Sequence, residues 1–318
     1  MFFVTYIDQL LDILRNSGFG CTIHGVYFGA VIYADDIFLL SASRTGLQQM
    51  MNLCQSFASS KNLKFGTDEN PQKSKTKCII FSKKKQQKDY FKNICLDGNN
   101  LPWVDHVKHL GHTLQVDNSM SMDINSKRGS FIGKTNSLMQ EFHFAAPNVL
   151  LKLLHSFTCN IYGSNTWDLF SKESQRLFTS YNVAVRHIMN LPRTTHRYLL
   201  EPLSDMPHLY TLLLARYVTF VKSLLENEAF EVRFMASLST SDMRTVTGKS
   251  IARILDLCHI GSIADLSANT VKKTIKYAVI PNDEAWRIGI IKDMLSHHSD
   301  YGLTSTETSE ILEYACSS

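Results

Sequence analysis

No stretch of about 18 uninterrupted apolar residues occurs in the chain, so no membrane-spanning helix is expected. The nearest approach, Leu209 to Val221, is short and carries Arg216. The start, Met1 to Leu14, lacks a basic segment and places Asp8 inside its apolar run, unlike a secretory signal. No Cys-x-x-Cys occurs, and the seven cysteines are an odd number. A reduced intracellular protein is therefore expected rather than a disulfide scaffold. Cys258-His259, His297-His298 and Cys316 lack zinc-knuckle spacing. There is no Gly-rich phosphate loop, no Gly-x-Ser-x-Gly elbow and no internal repeat, which removes P-loop and α/β-hydrolase chemistry.

What is present is ordinary globular material, 44% hydrophobic and 19% charged over 318 residues, ample for a sizeable core and suggestive of about two domains. The net charge of +4 is unevenly placed. Ten lysines between Lys61 and Lys92 face only Asp68, Glu69 and Asp89, a local charge of +7 against −3 elsewhere. Such a patch suits a polyanion, or is a solvated loop.

The pattern predicts a mixed order. Ile7, Leu10, Leu11 and Leu14 follow helical spacing, ended by Gly18 and Gly20. Val26–Tyr33 and Ile37–Leu40 are apolar runs around Ala34-Asp35-Asp36, predicting a β-hairpin over 26–40 with both aspartates at the turn. A helix opens with a capping-box pattern at Thr45 and Gln48, and buries Leu47, Met50, Met51, Cys54, Phe57 and Ala58. A strand over 77–81, a hairpin turning at 97–99 and a strand over 109–114 follow. From about residue 116 the texture is helical. The expected apolar faces are Leu150, Leu153, Leu154, Phe157 and Ile161, then Leu177, Tyr181, Ala184, Val185 and Ile188, then Leu209, Leu212, Leu213, Tyr217, Phe220 and Leu224. His106, His109 and His112 recur every three residues around the strand over 109–114, where alternation sends them to different faces and weakens a metal reading.

The chemistry rests on Asp35 and Asp36. Two adjacent carboxylates at an exposed tip repel each other. A divalent cation removes that conflict, and Mg²⁺ takes a few carboxylates plus substrate phosphates, as in metal-assisted phosphoryl transfer. An ordinary acidic turn has the same composition.

Tyr33-Ala34-Asp35-Asp36 between hydrophobic strands resembles the catalytic hairpin of reverse transcriptases. Asn70-Pro-Gln-Lys73-Ser74-Lys75-Thr76-Lys77-Cys78 resembles the Asn-x-x-Lys-Ser/Thr-Lys segment that follows that hairpin in retrotransposon enzymes without long terminal repeats. Val107-Lys-His-Leu-Gly-His112 resembles the Leu-Gly primer-grip element. Tyr162-Gly-Ser-x-x-Trp167 and Pro192-Arg-Thr-Thr-His196-Arg197 resemble the helical thumb region. The resemblance spans residues 1 to 225 and is densest over 20 to 115.

The resemblance implies an α+β fold, with a partial polymerase palm of antiparallel hairpins and packed helices over 1–115. An all-α thumb-like region over 116–237 and a helical tail over 238–318 follow. It implies Asp35 and Asp36 as catalytic metal ligands for Mg²⁺, with Mn²⁺ as substitute. Lys73 corresponds to a lysine implicated in protonating departing pyrophosphate, or is a phosphate-contacting or solvated lysine. Lys75, Lys77, Lys83, Lys84 and Lys85 would bind nucleic acid, and Leu110 and Gly111 would help place the primer end. The implied partners are an RNA template and a DNA primer.

The family's palm has a further aspartate on an earlier strand. Only 32 residues precede Tyr33, and Asp8 sits where the family has the helix leading to the hairpin. The expectation is thus the C-terminal half of a reverse transcriptase, inactive alone, with an open sheet edge along Val26–Tyr33 that a partner chain would complete. The alternative is a non-catalytic nucleic-acid-binding or interaction protein on the same scaffold.

Overall fold

The computed structural model describes residues 2–68, 70, 73–82 and 93–275. The chain is mixed α and β, with small antiparallel hairpins and many helices. It divides into two compact units, Met1–Ser119 and Met120–Ser318. No helix among the described residues is long and apolar enough to cross a membrane.

The first unit opens with α1 (Phe2–Asn16), which buries Ile7, Leu10 and Leu14. Among the described residues four two-stranded hairpins follow. They are β1 (Thr22–Ile23) with β2 (Val26–Tyr27), β3 (Ala30–Tyr33) with β4 (Asp36–Leu39), β5 (Cys95–Leu96) with β6 (Asn99–Asn100), and β7 (His106–His109) with β8 (His112–Gln115). Three of them turn on an X-Gly pair with both residues at positive φ: His24-Gly25, Asp97-Gly98 and Leu110-Gly111. Two-residue loops of this kind match the twist of the flanking strands.

The run read as one strand from Val26 to Tyr33 is broken at Phe28-Gly29, so β2 belongs to one hairpin and β3 to the next. Gly29 sits against the Tyr27 ring, where a Cβ would come within 2.5 Å of its hydroxyl. The strand expected over 77–81 is reduced to a single parallel bridge between Cys78 and Trp103. The strand expected over 109–114 is split: His109 ends β7, Leu110-Gly111 reverses the chain, and residues 112–114 lie in β8.

Helix α2 (Arg44–Ser60) packs on α1 and on β3–β4 through Leu10, Leu14, Met50, Cys54 and Phe57, with Tyr27, Ala30, Ile37 and Leu39 against them. Its other side meets Cys78, Ile94, Leu96 and Leu101 through Met51. The cap lies two residues before the expected one: the Ser43 hydroxyl accepts from Gly46 N–H at 3.0 Å. Gln48 is thereby freed for another task. Its side-chain amide donates to Cys95 O and accepts from Cys95 N–H, at 2.8 and 2.9 Å, and so stands in for a strand beside β5.

The second unit is helical: α3 (Ser121–Glu141), α4 (Pro147–Leu153), α5 (Lys172–Ile188), α6 (Leu200–Ser204), α7 (Leu209–Leu225), α8 (Phe230–Ser241), α9 (Val246–Cys258) and α10 (Ala268–Thr274). One apolar cluster runs through it. The expected stripe on α5 is buried as read. Helix α7 is buried nearly all round, Leu209, Leu213, Leu214, Val218 and Val221 included, as a helix apolar on every side must be. It packs against α5, α8 and α10. The boundary drawn at 237/238 falls inside α8, and Ile251, Ile254, Cys258 and Val271 beyond it join the α7 core.

Phe157 departs from the expected core stripe. A π turn over Leu154–Thr158 follows α4. Its wider winding keeps Leu154 and Thr158 inside and turns Phe157 out, 57% exposed.

Candidate functional site

The β3–β4 hairpin carries the acidic pair. Its register pairs Tyr33 with Asp36, Ile32 with Ile37, Val31 with Phe38 and Ala30 with Leu39. The two-residue turn is thus Ala34-Asp35, with Ala34 at φ +52°. Asp36 is the first residue of β4 rather than a turn residue. Both aspartates are exposed, and no hydrogen bond or ion pair engages either carboxylate among the described residues. Ala30, Ile37 and Leu39 face the α1–α2 core, so alternation sends Val31, Tyr33, Asp36 and Phe38 to the other face. Val31 and Tyr33 are 50% and 65% exposed there.

Phe38 on that face stacks on His109 of β7, ring centroids 5.2 Å apart and planes at 27°. The acidic hairpin and the hairpin turning on Leu110-Gly111 therefore lie side by side. His109 is the cross-strand partner of His112, so these two share a face, while alternation along β7 puts His106 on the other.

The Lys73–Lys77 segment is irregular but alternates as a strand does. Lys73, Lys75 and Lys77 are exposed, and Ser74 and Cys78 are buried between and beyond them. Its backbone is anchored where Gly66 O accepts from both Lys75 and Thr76 N–H at 3.0 Å. A Cβ on Gly66 would crowd the Lys75 side chain at 3.1 Å. The Ser74 hydroxyl donates to Thr76 O at 2.8 Å. Lys73, Lys75 and Lys77 are thus three exposed lysines on one anchored segment. Lys83, Lys84 and Lys85 lie outside the described residues.

Asp8 and Asp12 sit on the exposed side of α1. Among the described residues no group of three or more His, Cys, Asp or Glu side chains is placed to hold a metal ion. Asp35 and Asp36 are adjacent in the chain and both exposed, and carboxylates completed by water and phosphate oxygens suit a hard cation.

The two thumb-like motifs have structural work in the second unit. Trp167 is fully buried, and its Nε1–H donates to Asp123 Oδ2 at 2.9 Å. Gly163 takes φ +81° to turn the chain between Tyr162 and the buried Ser164. In the second motif Thr195 O accepts from Arg186 Nε and Nη2 at 3.0 and 2.7 Å.

Sequence reasoning missed a buried polar network near these motifs. His208 caps α7: its Nδ1 accepts from Tyr210 N–H at 3.0 Å, so Nε2 carries the proton and donates to Asn182 Oδ1 at 2.8 Å. His155 Nε2 and the Tyr181 hydroxyl share a 2.7 Å hydrogen bond. Burial, with Arg216 nearby, lowers the His155 pKa to about 4. Burial holds His208 well below its usual range, with His155 and Arg197 adding to the effect. The polar residues on α5 opposite His155 and His208 were the available signal.

No protein-family model matches the chain, and no curated protein matches it.

Proposed function

We propose that the first unit is a late palm segment of a reverse transcriptase of the kind found in retrotransposons without long terminal repeats. Asp35 and Asp36 would hold Mg²⁺, with Mn²⁺ as substitute, and the cation would supply charge neutralisation for phosphate oxygens. Lys73, Lys75 and Lys77 contact the nucleic-acid backbone, and Leu110 and Gly111 support a primer end. The observation that carries this reading is the Phe38–His109 stack. It sets the acidic hairpin beside the Leu-Gly hairpin, two motifs 75 residues apart in sequence by the separation of Asp35 and Leu110. The second unit corresponds to the thumb-like region in this reading.

A second reading is a nucleic-acid-binding protein on the same scaffold that does not polymerise. It rests on the exposed lysines and needs no metal.

A primed-RNA extension assay with Mg²⁺ or Mn²⁺ and nucleotides separates the two. The chain alone is expected to bind primed template without extending it. A polypeptide supplying the family's earlier aspartate strand, the partner expected to complete the sheet beside β3, should then permit extension that Asp35→Ala abolishes. Binding should weaken steeply as salt rises, because each neutralised phosphate releases counterions. Replacing Lys73, Lys75 and Lys77 together should flatten that slope. Binding without extension, with the strand supplied, selects the second reading. No binding at low salt overturns both.

A further inference from the structure

The second unit exposes aromatic rings in an unusual company. Phe157 and Tyr162 are 57% and 65% exposed, and Phe144 is 77% exposed. Two of these rings carry a lysine of α3 over the face. Lys127 Nζ lies 5.3 Å from the Tyr162 centroid, and Lys134 Nζ lies 5.6 Å from the Phe157 centroid. Lys127 and Lys134 are seven residues apart, which puts them on one side of the helix, about 10 Å apart along its axis.

We propose that this strip is a stacking platform for single-stranded nucleic acid. Bases stack on Tyr162 and Phe157, and Lys127 and Lys134 swing from the rings to the flanking phosphates. The inference goes beyond the palm reading and rests on other residues.

Three observations select this occupant over an apolar protein surface. First, the exposed rings of Tyr162 and Phe157 each carry a cation over the face, which is the composition of single-strand platforms. Second, α3 has only two acidic residues. One, Asp123, is buried against Trp167, and the other, Glu141, is the last residue of the helix. The helix therefore carries more cationic than anionic side chains, Lys127, Arg128 and Lys134 against those two. Third, the rings are aimed outward by backbone geometry. The π turn turns Phe157 away from the core, and the left-handed Gly163 follows Tyr162 directly.

The ring and the ammonium both gain from the exchange of partners. An exposed lysine over a ring is a weak interaction. A stacked base is a stronger one, and it tolerates any sequence because every base has a π face. The freed ammonium then gains a phosphate and releases a counterion.

The test uses the full chain, short fluorescein-labelled oligo(dT) and oligo(U), and a duplex of the same length, read by fluorescence anisotropy at low salt. Phe157→Ala and Tyr162→Ala should each weaken single-strand binding by about 5- to 100-fold. Tyr162→Trp should keep it. Both positions are exposed, so far-ultraviolet circular dichroism should be unchanged. The ring effects should persist when Lys73, Lys75 and Lys77 are replaced, which separates this platform from the site in the first unit. Ring variants that bind single strands as the parent does would overturn the proposal and leave the palm reading standing. Equal ring dependence for the duplex, or no single-strand binding at low salt, would overturn the platform as well.

Discussion

Asp123 and Trp167 show how a residue's role changes with its surroundings. In sequence, Trp167 is part of a motif that resembles a polymerase thumb, and Asp123 belongs to no pattern. In the structure they are one buried pair, carboxylate oxygen to indole N–H, because a buried donor without a partner is costly. The buried histidines follow the same rule with a consequence for pH. His155 and His208 are neutral in the fold, with pKa values lowered chiefly by burial. Unfolded, each returns to about 6.5. Protonation therefore favours the unfolded chain below that value. Their contribution is complete above about pH 6.5, is lost as pH falls, and for His155 the loss levels off below about pH 4. The urea midpoint of the helical signal should drop between pH 7.5 and pH 5, a window above most carboxylate titration. His155→Gln should make that drop smaller. A midpoint equal at both values would show that these histidines protonate without cost.

At the scale of elements, hairpins and helices were legible to different degrees. The α5 stripe was readable because one face alternates with a polar one at helical period, and the structure buries Leu177, Tyr181, Val185 and Ile188 together. The hairpin at Asp35 was readable from its flanking apolar runs, although Asp36 proved to be a strand residue. The β7–β8 turn was not, because a leucine at positive φ is rare enough to hide a turn. Phe157 was misplaced because a π turn shifts the register of a stripe that otherwise reads as regular. The stack of Phe38 on His109, on which the candidate site depends, has no local signature at all. Leu110 carries the element-scale prediction. It sits at φ +46° beside Gly111 at +78°, a conformation that a branched side chain adopts at a cost. Leu110→Gly should stabilise the first unit by about 0.5–1 kcal/mol, since glycine removes the clash while adding some unfolded-state freedom. If the leucine is kept for contact with a primer end, the same variant should bind primed template more weakly than the parent. Lower stability would show that the Leu110 side chain gives more by packing than it costs in backbone conformation, and unchanged binding would remove it from the site.

Across the whole molecule the two units differ in how their apolar surface is gathered. In the first, the buried apolar residues form two small clusters, around Leu10, Met50 and Phe57 and around Cys78, Ile94 and Leu101. Among the described residues its strands are two or four residues long and pair as hairpins, and a hairpin has little stability without packing. In the second, a cluster joins α3, α4, α5, α7, α9 and α10 around Trp167, Phe178, Tyr181 and Leu214, with α7 buried on most of its circumference. Cooperative opening follows such differences, since a segment with few buried contacts opens at lower free energy than one in a continuous core. Native-state hydrogen exchange read by mass spectrometry should therefore give at least two classes of amide. Peptides covering β3–β4 and β7–β8 should exchange first and together, because Phe38 and His109 tie those hairpins. Peptides from α5 and α7 should exchange last. Removing the tie with His109→Ala should speed exchange in both hairpins and leave α7 unchanged. The same protection in α7 and in β3–β4, lost at one common rate, would mean that the chain opens as a single cooperative body.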